Sequence, residues 1–268
     1  MSTNAPRYDS LGRGYARYRR PDPRIAAAIE DALGDARTIL DVGSGTGSYQ
    51  PRHGRVVAVE PSRTMIDQRR PDAAPAVQGV AERLPFPDGC FDAALAVLTI
   101  HHWPDHRAGL EEMARVSRRQ VVLTWDPRIF ARFWLIADYL PEIAAHEVGL
   151  ATLDAVTEAL QVTDVLTVPV PADCTDGFAG AYWRRPDGYL DPAARGAISS
   201  FALCDPAAVT RAMNRLEADL ASGRWASRHR GLVDRDTLDL GYRLVIAGGI
   251  RPGPTATGTS AGRPGRPR

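Results

Sequence analysis

The chain has 268 residues, enough for one α/β domain with insertions, and its 44% hydrophobic and 24% charged content is ordinary for a globular protein. The formal net charge is +1, and the acid-free stretch after Ile250 holds Arg251, Arg263, Arg266 and Arg268, so the body before it is slightly acidic; this argues against nucleic acid as an obligatory partner. All 33 basic residues are Arg, which excludes a Schiff-base or Lys-base mechanism. Cys90, Cys174 and Cys204 form no C-x-x-C pair, the first residues lack a signal-peptide core, and no run approaches a membrane span, so a cytoplasmic chain with no membrane partner is expected.

Residues 1–23 form an aromatic and basic N-terminal segment, frayed over 1–7 and closed by Pro21-Asp22-Pro23. Ile25, Ile29 and Leu33 sit at helical spacing in Arg24–Leu33, with Gly34 as the stop signal. A strand is predicted over Thr38–Val42, followed by a glycine-rich loop. Gly47 and Arg55 are only eight positions apart, which leaves no room for a long helix after that loop. Then come a strand over Val56–Val59, a short helix Arg63–Arg69 with Ser62 as N-cap, and a strand at Ala76–Val77. The strand Ala93–Leu98, the helix Arg107–Val116 and the strand Gln120–Trp125 complete a doubly wound pattern over residues 24–126.

Beyond Asp126-Pro127 the reading gives an apolar-aromatic helix Ile129–Tyr139, a helix Leu153–Leu160, a strand Asp164–Val170 and a last strand Gly241–Ala247. The region 127–250 thus finishes the fold. Within it, about 171–239 reads as an aromatic, charged insertion that includes a helix Pro206–Ala221 capped by Asp205. Residues 251–268 lack large apolar side chains and are expected to be disordered.

The loop Gly43-x-Gly45-x-Gly47 follows an apolar strand, so bare backbone lies at the carboxyl edge of a sheet, where a ligand can approach closely. A dinucleotide fingerprint would be G-x-G-x-x-G with an acid about 20 residues on. Here Ser48 stands where the third glycine would fall, and Glu60 ends the next strand 17 residues after Gly43.

Three ordered segments carry a resemblance: Asp41-x-Gly43-x-Gly45-x-Gly47 with Glu60, Gly79-Val80-Ala81-Glu82 through Asp92, and His101-His102-Trp103-Pro104-Asp105 after the apolar Ala93–Ile100. Together they resemble the class I S-adenosylmethionine (SAM)-dependent methyltransferases, in the subgroup that includes ubiquinone/menaquinone-biosynthesis methyltransferases. The resemblance covers roughly residues 8–126. It implies an α/β fold with a doubly wound, Rossmann-like seven-stranded sheet, SAM as cofactor, and a small-molecule methyl acceptor in a biosynthetic pathway. By this resemblance Gly43, Ser44, Gly45 and Gly47 cradle the cofactor, Asp41 orients its amino group, and Glu60 takes both ribose hydroxyls. Pro61, Ala81, Glu82 and Leu98 complete the cofactor wall. Val80 stands where the family usually has an Asp that meets the adenine amino group. Tyr18 and Arg20 match a lid segment in which an Arg pairs with the cofactor carboxylate; Arg19 and Arg20 are hard to separate, and a solvated basic helix remains the alternative.

Methyl transfer is an in-line displacement in which holding the nucleophile near the methyl lowers the barrier by roughly 7–11 kcal/mol. A base is needed only for a nucleophile that carries a proton. His101 and His102 lie just past a strand end, where such sheets expose ligands, with an ordinary pKa of about 6.5 suited to that role; shaping the pocket is the alternative. No metal is expected, since Pro104 interrupts the His102/His106 spacing and no third ligand is evident. Trp125 and Asp126 end the fifth strand, also at the ligand edge, as acceptor contacts, with Asp126 an alternative base; Trp134, Tyr139, Phe178, Tyr182 and Trp183 read either as the roof of an acceptor pocket or as the insertion's own core. Arg184 and Arg185 meet an anionic acceptor or solvent. Two other functions fit the sequence, a SAM-binding protein with cyclisation or decarboxylation chemistry and, against the Ser48 evidence, a nicotinamide oxidoreductase. The oligomeric state is open.

Overall fold

Alternation along β1, Thr38–Val42, sets the architecture: Ile39 and Leu40 are both fully buried yet belong to two separate apolar cores, one on each face of a sheet. The computed structural model describes residues 15–147, 150 and 152–250. The expectations for residues 1–14 and for the tail 251–268 lie outside the described residues.

β1 pairs in parallel with β2 (Arg55–Glu60) and with β4 (Phe91–Val97). β3 (Ala76–Gln78) lies outside β2, and β5 (Ser117–Trp125) lies beside β4. β6 (Leu160–Thr167), β7 (Val170–Pro171) and β8 (Thr237–Leu238) follow, β7 and β8 forming a separate two-stranded ribbon. The last strand, β9 (Tyr242–Ile250), inserts antiparallel between β5 and β6, which gives the order 3-2-1-4-5-9-6. The order reverses between β1 and β4, so a crevice opens at their carboxyl ends.

Helix Pro23–Leu33 lays Ile25, Ile29 and Leu33 on one face of the sheet. Helix His106–Val116 lays Leu110 and Met113 on the other. The chain passes from Gly43 to Gly54 without a helix, as the spacing requires.

The helix expected over Ile129–Tyr139 is broken. Pro127–Phe130 is one helical turn capped by Asp126, and Leu135–Tyr139 is a π-helical turn. Phe130, Phe133 and Trp134 are all buried there, so packing rather than hydrogen-bond regularity sets the path. The sixth strand begins at Leu160, four residues before its expected start at Asp164. Outward-facing Asp164, Val165 and Leu166 give it no core-like pattern to read.

The long helix Pro206–Ala221 forms as the sequence predicts, with Asp205 accepting from the Ala207 and Ala208 amides. Its Leu216 joins Trp134, Trp183, Tyr189 and Trp225 in the core on the Pro23–Leu33 side.

Candidate functional site

At the carboxyl end of β1, Gly43, Ser44 and Gly45 of the glycine loop line a cavity of about 120 Å³ together with Asp41, Glu60, Ala81, Leu98 and His102, whereas Gly47, expected in the same cradle, is off that wall and backs onto the Arg69 guanidinium. The glycines answer two different demands. A Cβ on Gly43 would fall 2.2 Å from the Thr99 hydroxyl oxygen, whereas Gly45, also left-handed with φ 54°, has nothing within 4 Å on its Cβ side. Gly43 therefore closes the loop onto the turn after β4, and Gly45 keeps open space bare.

Glu60 is 5% exposed and already organised by backbone: the Gly45 amide donates to Oε2 at 2.8 Å and the Ser62 amide donates to Oε1 at 2.9 Å. An ionised carboxylate offers about four lone-pair sites, so these two amides do not exhaust its acceptor capacity. Asp41 is 4% exposed; burial pushes its carboxyl up to about 7, with the Glu60 charge adding to the rise and Arg69 opposing it.

Arg69 escaped the sequence reading. It donates to the Ser44 hydroxyl at 3.0 Å, the Gly45 carbonyl at 3.3 Å and the Gln50 side-chain carbonyl at 3.0 Å. One guanidinium thus braces a loop that has no helix behind it. The brief helix Arg63–Asp67, which pointed to Arg69 as its expected end, was the available signal.

The N-terminal segment contributes differently from expectation. Tyr18 donates to Asp191 at 3.1 Å and is not part of the cavity wall, and Arg20 is exposed. Arg19 lines the cavity and is fixed by Asp176, with Nε to Oδ1 at 2.7 Å. Nearby, Asp22 is fully buried, and its carboxylate accepts from the Thr175 amide at 3.1 Å and from Arg24 at 2.7 Å. Burial would raise its pKa, but these donors hold it down at about 2. The segment 19–24 is therefore stapled to 173–176, which no local pattern announces.

Pro61, Ala81 and Glu82 line the same cavity, with the Glu82 carboxylate also accepting from the Asp105 amide at 3.2 Å.

A second cavity of about 150 Å³ adjoins the first, and Arg19, Leu98 and His102 line both. Leu98, with φ 49°, is the only non-glycine residue of positive φ among the described residues. It holds that conformation while its amide donates to the Leu123 carbonyl at 2.9 Å. His101 lines the second cavity alone, its ring 3.7 Å from that of His102 and 4.8 Å from that of Trp125. Trp125 and Phe178 are on that wall as expected, joined by Phe130, Glu147 and Tyr242.

The other acceptor-pocket candidates lie elsewhere. Asp126 caps the turn that follows it and pairs with Arg128 at 2.9 Å, so its carboxylate is spent locally. Trp134 donates to the Trp183 carbonyl at 2.8 Å, and Trp183 donates to the Val170 and Pro171 carbonyls, both in the core on the Pro23–Leu33 face of the sheet. Tyr139 donates to Asp219 at 2.9 Å. Tyr182 packs edge-on against Tyr189 away from either cavity wall. Arg184 and Arg185 donate to backbone carbonyls of Arg235 and Cys174. His106 starts its helix and His102 belongs to the preceding 3₁₀ turn, so they do not share a helix face. Among the described residues no group of three or more His, Cys, Asp or Glu is placed to hold a metal ion.

A crystal structure of an Anabaena variabilis ATCC 29413 protein, described as a methyltransferase from an antibiotic biosynthesis pathway, superposes with a TM-score of 0.78 at 34% identity, covering 86% of this chain and 98% of that one. The chain belongs to the SAM-dependent methyltransferase family. A methyltransferase-domain model matches residues 40–124, the stretch from β1 to β5. A demethylmenaquinone methyltransferase of Deinococcus radiodurans is 33% identical over 138 residues, 46% of this chain and 57% of that protein. One from Mycobacterium sp. (strain KMS) is 36% identical over 122 residues, 42% of this chain and 51% of that protein. The chain spans about half the length of these curated relatives. Among the described residues no helix is long and apolar enough to cross a membrane.

Proposed function

We propose that this chain transfers the methyl group of SAM to a small molecule held in the second cavity. One observation carries the reading: the glycine-loop cavity and a separate cavity with aromatic and polar walls meet at Leu98, His102 and Arg19. A donor and an acceptor can therefore face each other across one wall. When bound, SAM supplies an electrophilic methyl on a sulfonium, whose departing thioether is neutral and needs no acid.

The residues present fit that cofactor. Gly45 leaves bare space over the loop, and the fixed Glu60 carboxylate has acceptor capacity for a pair of ribose hydroxyls. Asp41 would hold the ammonium, whose charge would restore its ionised form. Arg19, rather than Arg20, has the position to pair with the carboxylate. Ala81, Glu82 and Pro61 would flank the base and ribose; Val80 leaves the adenine amino group to backbone.

His102 is placed to take a proton from the acceptor's nucleophile, since it reaches both cavities, and His101 stacks behind it. The acceptor class is a small organic molecule of the kind processed in biosynthesis, consistent with the quinone-pathway names of the curated relatives.

Calorimetric titration of the full chain with SAM, S-adenosylhomocysteine and NADH tests the reading. Micromolar binding of the first two alone is expected, followed by a gain of one methyl mass in a screened acceptor. Binding of NADH alone would sink it. Cofactor binding with no mass gain across broad screens, together with another product, would favour cyclisation or decarboxylation chemistry.

A further inference from the structure

Glu147 is a buried carboxylate that the methyl-transfer reading leaves without a task. It ends the helix Glu142–Glu147, four residues after the buried Ile143, and this spacing turns it inward instead of toward solvent. It is 5% exposed and forms part of the second cavity's wall among Trp125, Phe130, Ile143 and Phe178. The Trp125 indole N–H donates to its Oε2 at 2.9 Å, and no other side-chain or backbone donor is placed on the carboxylate among the described residues. A carboxylate costs free energy in such a wall unless its acceptor sites are filled, and one N–H fills one of about four. A ligand donor can fill another.

The second cavity thus has a mixed wall, apolar at Trp125, Phe130, Ile143 and Phe178 and polar at His102, Glu147, Ser199 and Ser200. At one end His102 borders the cofactor cavity. From there a row of contacts runs through His101 and Trp125 to Glu147. Resting on the proposed methyl-transfer function, we propose that Glu147 is a specificity-determining residue: it anchors the methyl acceptor by a hydroxyl or amine group distinct from the one that faces His102. The acceptor class is then a compact apolar molecule with two polar points, one methylated and one gripped.

Burial pushes the Glu147 carboxyl up to about 7, against the pull of the Trp125 N–H. The grip on a neutral hydroxyl therefore strengthens as pH rises through neutrality and the carboxylate forms. Arg19, His101, His102, His146 and Tyr242 share the cavity wall, and any of these that titrate contribute to the same profile.

The test uses the full chain, with and without saturating S-adenosylhomocysteine, and three probes: naphthalene, 1-naphthol and 1-naphthylmethylamine. At least one donor-bearing probe should bind about tenfold or more tightly than naphthalene, as a hydrogen bond to a charged group implies. For 1-naphthol the advantage should grow from pH 6 to pH 8. Whichever donor wins identifies hydroxyl or ammonium recognition. In Glu147→Gln the amide oxygen can keep the Trp125 bond while the carboxylate charge is gone. The donor advantage should then vanish, with naphthalene affinity unchanged. A purely structural Glu147 would shift all three probes together, and that result overturns the proposal. So does a donor advantage that survives in Glu147→Gln, equal affinity for the three probes, or binding of none of them by a chain that binds S-adenosylhomocysteine. Failure to bind S-adenosylhomocysteine counts against the cofactor reading alone, because the probe series is also run without it.

Discussion

The cofactor half of the molecule, β1 to β5, and the half from Pro127 to Leu240 place functional groups by opposite means. In the first, each group follows directly from a strand end: Asp41 within β1, Glu60 at the end of β2, and His101 and His102 in the turn after β4. In the second, a cavity wall is assembled from Phe130, Glu147, Phe178 and Ile198, which are far apart in the chain and meet only in the folded structure. A site built at strand ends can be read from a local pattern, because the sheet supplies the three-dimensional arrangement. A site built from separate turns has no such pattern.

Four experiments would break or sharpen that contrast. The largest effect is expected for His102→Ala, which removes an imidazole that lines both cavities. With an acceptor found by mass shift, turnover should fall by about 100-fold or more, the usual worth of a positioned base. SAM affinity should hold. Unchanged turnover would remove His102 as the proton acceptor.

Next comes Glu60→Ala. It takes away the proposed ribose acceptor and the partner of the Gly45 and Ser62 amides. Calorimetry should show SAM binding weakened tens-fold or more, from bonds worth roughly 1.5–3 kcal/mol each. An unaltered dissociation constant would mean that the loop cavity is not where the ribose sits.

A smaller effect concerns pH. With its carboxyl raised to about 7, Asp41 is protonated in much of the cofactor-free protein below neutrality. Binding an ammonium group needs the ionised form, so SAM affinity should drop several-fold from pH 8 to pH 6, and binding near pH 7 should release protons. The sign for stability is the reverse. The folded state holds this proton more tightly than the unfolded chain does, so the Asp41 contribution to stability declines as pH rises from about 4 through 7. Asp41→Asn should accordingly raise the melting temperature of the cofactor-free protein at pH 8 and flatten the binding profile. A profile that stays steep in that variant would assign the titration to another group.

The smallest functional effect belongs to Trp134→Phe. Trp134 touches Tyr139, Tyr189 and Trp225 and donates to the Trp183 carbonyl within a core outside both cavity walls. Loss of that buried bond should cost about 1–3 kcal/mol and lower the melting temperature, while KM for the acceptor stays the same. A KM change without a stability change would return Trp134 to the acceptor wall.

The same contrast decides what was legible in the sequence. The sheet elements, the missing helix after the glycine loop and the Asp205-capped helix all rest on short-range signals, and the structure has each of them. Arg19 could not be told from Arg20, because what separates them is Asp176, more than 150 residues away. Aromatic density near Trp183 read equally as pocket roof or private core, and only three-dimensional packing shows that Trp134 and Trp183 spend their N–H groups on backbone carbonyls. Glu147 carried a faint clue in its spacing from Ile143, but a lone acid at the end of a helix is usually solvated.

Leu98 has a consequence of its own. A leucine with positive φ stores strain of roughly 1–3 kcal/mol that a glycine would not, and it stands where the two cavities join. Its side chain, packed against the core, thus stands at the junction of the two cavities on a backbone held by strain. Leu98→Gly would release that strain but give up the core packing and widen the opening between the cavities, so the local conformation would ease while the fold as a whole loses stability.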